Sequence, residues 1–250
     1  MMLEEINSLE TNLINQLQSH ALFTKIDTLS WQEFLAILIQ RRFLSLSIVN
    51  IYELTIDALE DTSIKQTVRE ILHEEYPRNT KGIPLASHRE LLFQDLLNLG
   101  ATSEMILTTP ETVETKKVRS QCDRLMVNCL GKANTQVQLI AFLRFWAEVL
   151  VAVEYSCLWK RISEKLDSKN SRDKPRSEFY YFHLIHDSRN CDLGQENLLG
   201  GLTHAQELGV QLTRLITTPD KAIACIEIVE KAYLLKCEFY NQFLALLNEQ

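Results

Sequence analysis

Apolar residues recur every three or four positions through most of the chain, the spacing of helices with one buried face. Leu3, Ile6, Leu9, Leu13 and Leu17 predict a first helix reaching about Phe23. Ser30 followed by Glu33 has the form of a capping box, and the helix it opens runs through Phe34, Leu38, Ile48 and Ile51 towards Leu59. A third helix covers about Thr62 to Glu75 and stops at Tyr76-Pro77, because proline removes a backbone donor and disfavours helical geometry in the residue before it. After the irregular stretch RNTKGIPLAS, Ser87 starts a helix through Leu92 and Leu96 that Gly100 ends, and another follows Thr109-Pro110-Glu111 and ends near Gly131. Residues 135–166 form a long, very apolar central helix; 167–177 form a polar loop; 178–193, 196–217 and 219–248 form three closing helices.

The expected fold class is therefore all-α: one helical bundle of seven to nine helices in a single domain over residues 1–250, with residues 1–29 as an N-terminal helix packing on it. Composition agrees. Glycine and proline number only 7 and 5 of 250, well under the roughly 12% of average usage, which leaves little material for the turns of an all-β fold. A hydrophobic fraction of 46% supplies a sizeable core, and no run of about 18 uninterrupted apolar residues stands out as a membrane span. The net charge of -7, without a Lys/Arg cluster, argues against nucleic acid and an anionic membrane surface as partners. Six cysteines lack the close spacing of a zinc site or redox dithiol, and the N-terminus lacks a basic, apolar leader, so the reducing cytoplasm is the expected compartment.

Candidate chemistry lies where an ionisable residue interrupts a core face, since a buried charge is costly unless paired or metal-bound. Stepping three from Leu72 or four from Ile71 reaches Glu75, which points inward. Glu74 sits about 100° away and is the weaker candidate, with His73 on the outer face. In the central helix Glu154 follows Leu150 by four, with Val149, Val151, Ala152 and Val153 before it. In FYYFHLIHDSRNCDL, His183 and Asp187 share one face at i, i+4, His186 is one residue off, and Asn190 and Cys191 fall a turn later. His88 opens the helix after the irregular stretch. Glu75, His88, Glu154, His183 and Asp187 thus form an oxygen-and-imidazole set suited to iron or manganese in a bundle interior. His20 and His204 are assigned no chemistry, and Phe179 to Phe182 are expected to pack in the core.

The motifs REILHEEYP, SHRELLFQDLLNLG, AEVLVAVEY and YYFHLIHDSRN resemble those of the haem-oxygenase-like di-iron oxidases, a group that includes the chlamydial protein that associates with death domains and a fatty acid decarboxylase. A cyanobacterial branch of unknown function, similar to the death-domain-associating protein, matches best, and the likeness runs over residues 30–217 in helix order. The resemblance implies metal ligands at Glu75, His88, Glu154, His183 and Asp187, with Glu53 a weak counterpart of an extra acid. A final histidine would fall where this chain has Asn190 and Cys191, leaving the second iron to be completed by Cys191, Asn190, His186 or water. The activity so implied is that of a non-haem di-iron, or iron/manganese, oxidoreductase that uses dioxygen to oxidise a small organic, fatty-acid-like substrate, with a homodimer as the assembly to look for. Two other functions fit the same scaffold: a metal-independent enzyme like the thiaminase (TenA-type) and quinone-cofactor-synthesis (PqqC-type) proteins, or a binding module like the death-domain-associating protein, without catalysis.

Overall fold

A computed structural model of the chain describes residues 2–80, 83–169, 171–195 and 202–247. Helix α1 (Met2–Gln18) is followed by the single turn α2 (Ala21–Thr24) and by α3 (Trp31–Ala58), which starts on the Ser30–Glu33 capping box expected from the sequence. The short α4 (Thr62–Leu72) ends in a 3-10 turn, His73–Glu75, that leads into a two-stranded antiparallel hairpin, β1 (Arg78–Thr80) and β2 (Ile83–Leu85). A second capping box, Ser87–Glu90, opens α5 (His88–Asn98), and the chain leaves it through Gly100 at φ 100°, a conformation that favours glycine. Helices α6 (Ser103–Thr108) and α7 (Val113–Val127) lead to the central pair α8 (Thr135–Phe142) and α9 (Leu150–Ile162).

These two are joined through a π-helical segment, Leu143–Val149, in which the Leu150 amide reaches back five residues to the Phe145 carbonyl. The closing helices are α10 (Tyr180–His186), α11 (His204–Leu215) and α12 (Pro219–Asn241). The helix expected over 178–193 is therefore cut to two turns, and the first residues of the one expected from 196 lie outside the described residues. The buried apolar side chains form one continuous cluster from Ile6 to Phe243. Trp31–Ala58 and Thr135–Ile162 are long and apolar enough, by length and composition, to cross a membrane. Both carry fully buried ionic side chains, Arg41 on the first and Glu154 on the second, and are core helices packed against their neighbours.

Candidate metal centre

Five elements converge on the inner end of a cavity of about 540 Å³. The 3-10 turn after α4 brings Glu74 and Glu75, the start of α5 brings His88, the π-helical segment brings Glu148, α10 with its C-terminal residue brings His183, His186 and Asp187, and the first residue of α11 brings His204. Their donor atoms fall into three groups, each within 4.8 Å: Glu75, His88 and His183; Glu148, Asp187 and His204; Glu74, His186 and His204.

Neighbouring groups aim several of these donors. The Nδ1–H of His183 donates to the Phe179 carbonyl at 2.8 Å, which leaves Nε2 for the cluster. His88 Nδ1 donates to Glu75 Oε1 at 3.1 Å. The Tyr52 hydroxyl donates to Glu148 Oε1, while Glu148 Oε2 lies 3.5 Å from His204 Nδ1. The α10 start is held by Asp95 of α5, a buried carboxylate that accepts from the Ser177 hydroxyl at 2.6 Å and from the Phe179 and Tyr180 amides at 3.0 and 3.2 Å. It does for this helix what an N-cap side chain does locally. Phe179 and Phe182 pack around His88 and His183, giving the ligands an apolar wall.

The electrostatics are those of a site short of positive charge. Burial, and then Glu148, Glu75 and Glu74, push Asp187 well above the usual carboxylate range. Burial alone would raise Glu148 too, but its hydrogen bond to His204 and the charge of that ring hold it below its ordinary value. His204 is raised: burial works against its charged form, and Glu148 and Glu74 outweigh burial. His183 is held well below 6.5 by burial and by His88, so it stands as a neutral imidazole with a lone pair to give. Both Asp187 oxygens, Glu74 Oε2 and His186 Nδ1 are buried without a hydrogen-bond partner. Such orphaned acceptors are expensive and are satisfied by a bound cation. Four carboxylates and four imidazoles, with no thiolate among them, are a donor set that could hold metal ions.

Of the residues expected from the sequence, Glu75, His88 and His183 meet in one group and Asp187 joins the next. Glu74 and His186 also belong to the cluster, His186 from the end of α10 and Glu74 because the 3-10 turn, tighter than an α-helix, brings both acids of the Glu74–Glu75 pair to its side. Glu154 does not. Its carboxylate is fully buried between Arg41, at 2.7 Å, and Lys236, at 2.8 Å, and the central-helix acid that reaches the cluster is Glu148. The cause is register: from the second half of the π-helical segment onward the cavity-facing row is Ala147, Glu148, Val151 and Tyr155, and Glu154 lies about 100° round the helix from Tyr155. Asn190 and Cys191 stand clear of the cluster too. Helix α10 ends at His186, so neither follows a turn later; Asn190 accepts from the Ser188 hydroxyl, and Cys191 Sγ accepts from Gln206 Nε2 at 3.2 Å. Glu53 is exposed and accepts from the Tyr76 hydroxyl.

A histidine does reach the cluster beside Asp187, from α11: His204. The chain after α10 is pinned to α1, where Asn7 pairs with the backbone of Leu193 and Arg189 meets Glu10 at 3.2 Å, and the Thr203 hydroxyl then donates to the Ser188 carbonyl. A Thr203–Gln206 capping box therefore opens α11 beside the end of α10, with His204 in its first turn. That box is legible in the sequence and is the signal that could have drawn attention to His204.

No family model matches the sequence, and no curated protein matches it. Solved structures do. A domain of unknown function with a haem-oxygenase-like fold from Shewanella denitrificans superposes with a TM-score of 0.70 at 14% identity, covering 98% of this chain and 93% of that one. A protein of unknown function from Nostoc punctiforme described as CADD-like gives 0.63 at 14% identity, with 99% and 98% covered. A TenA family transcription regulator from Silicibacter gives 0.60 at 13% identity, with 98% and 96% covered. The chain has the haem-oxygenase-like helical fold that the sequence motifs imply.

Proposed function

We propose that the chain is a non-haem oxidoreductase that holds two iron ions, or iron and manganese, and uses dioxygen to oxidise a small apolar organic substrate. The observation that carries this reading is Asp187: a fully buried carboxylate with two unpartnered oxygens, set among three further acids and four imidazoles at the end of an apolar cavity. Bound there, the metals would supply the one-electron and dioxygen chemistry that no side chain can. The chain's own part is orientation and exclusion. Tyr52 and the Phe179 carbonyl fix the rotation of Glu148 and His183. Leu44, Ile48, Val49, Ile71 and Val151 form an apolar wall that keeps water out and lies a hydrocarbon against the ligand cluster.

Adding ferrous iron anaerobically to metal-stripped protein, and then oxygen, tests the reading. About two ions per chain and an oxygen-dependent absorption band are expected, and H204Q should retain about one ion, because the Glu75–His88–His183 group does not use that ring. No iron uptake, or uptake without any optical response to oxygen, refutes it.

A further inference from the structure

Away from the ligand cluster, the cavity wall carries a charge that the metal centre does not balance. Arg41 of α3 and Lys236 of α12 both line the cavity and are 3% and 1% exposed. Between them they have one counter-ion, Glu154, which is not part of the cavity lining. Arg41 spends Nε and Nη2 on Glu154 Oε2 and donates from Nη1 to the Ser45 hydroxyl. Lys236 Nζ has the other Glu154 oxygen at 2.8 Å and lies 4.0 Å from the centre of the Trp146 ring. Two buried cations on one buried anion leave a single positive charge in a place where an uncompensated charge costs several kcal/mol. At the metal end the arithmetic closes differently, since two divalent ions would balance the four carboxylates there. One negative charge is missing from the cavity, at Arg41 and Lys236.

We propose that Arg41 and Lys236 anchor the carboxylate of an organic monoacid whose apolar chain extends along the cavity to the metal ligands. A monoanion balances the triad, whereas a phosphate dianion would overshoot it. The cavity volume, about 540 Å³, lies within the roughly 300–1,000 Å³ of small-molecule sites. Tyr155 adjoins both ends, its ring centre 5.3 Å from the Arg41 guanidinium and 6.1 Å from the His183 ring. With its head group on the two cations, the acid presents its chain, and not its carboxylate, to the ligand cluster. This deepens the function proposed above and rests on it for the fate of the chain, though not for the binding of the acid.

The test is equilibrium binding of decanoate and of 1-decanol, to protein as purified and to metal-stripped protein, with metal content measured alongside. Decanoate should bind roughly ten- to a hundredfold more tightly than the alcohol in both preparations, the range expected of a charge-assisted contact. K236M should abolish most of that preference and K236R should keep it. Equal affinities of the acid and the alcohol for the unaltered protein overturn the proposal with no variant needed. A preference that vanishes with the metal and survives in K236M overturns it too, because a metal ion would then be holding the carboxylate. Protein that takes up no iron and still prefers the acid refutes the metal centre and leaves this anchor standing.

Discussion

Glu148 and Glu154 are six residues apart on one central helix, both buried, and the structure gives them opposite work, so paired substitutions separate the roles sharply. In E154Q the amide oxygen can accept from Arg41 or from Lys236, while its NH₂ faces the other cation as a donor. Two cations, each under 4% exposed, are then left without a counter-ion. Removing one partner of a buried ionic group costs about 3–5 kcal/mol, which for a chain of this length lowers the melting midpoint by roughly 6–20 °C. Iron uptake below that midpoint should be untouched. E148Q should do the reverse. It removes a counter-ion of His204 but also relieves Asp187 of a neighbouring carboxylate, so metal-free protein should lose less stability than E154Q does, while the ion that Glu148, Asp187 and His204 would hold is lost. Thermal melts of metal-stripped protein and metal analysis after reconstitution read both effects. Adding K236M to E154Q should recover part of the lost stability, since it deletes one of the unpaired charges. An E154Q protein that melts normally and fails to bind metal would refute the assignment of both acids.

Two further outcomes follow from the groups around the site. D95A deprives Ser177 and the amides of Glu178, Phe179 and Tyr180 of their common acceptor, which should cost about 2–3 kcal/mol and loosen His183; D95N keeps one acceptor oxygen and should lose less, a ranking that urea unfolding checks. Asp187 is raised above its ordinary 3.8 in the metal-free fold, so its contribution to stability is complete below that value and is lost as the pH rises through the raised one. Melting midpoints of metal-free parent and D187N protein across that window should diverge, the parent falling behind at the upper end, and metal binding to the parent should release protons and tighten with pH; curves that stay parallel would refute the shift.

The bundle and part of its site are legible in the sequence because they rest on local rules. Ser30–Glu33 and Ser87–Glu90 announce their helices through side chains three residues apart, and both capping boxes form. His88 and His183 sit on helices whose apolar period is regular, so their inward direction can be counted off. The haem-oxygenase-like fold follows from the same patterns together with the motifs. What the period cannot carry is a change of pitch. Counting by 3.6 residues through Phe142, Trp146 and Leu150 lands on Glu154, and the count fails because the wider turn at Leu143–Val149 absorbs an extra residue. The 3-10 turn at His73–Glu75 makes the opposite change, and there both acids face the site.

His204 escapes for a different reason. Nothing near it in sequence is apolar in a telling way; its place depends on Asn7, Arg189 and Thr203 folding the chain back after α10, contacts that span up to 186 residues. Buried charge alone is an equally poor guide, because Glu154 and Glu148 both satisfy it. The difference lies in the partners. Glu154 has two cations and needs no metal; Asp187 and Glu148 have each other and too few cations, so Asp187 is pushed towards its protonated form, and a metal ion would relieve the pair instead. The test of an inward acid in a helical core is therefore the sign of the charge facing it, and by that test the pair Arg41 and Lys236, one anion short, points to a ligand of its own.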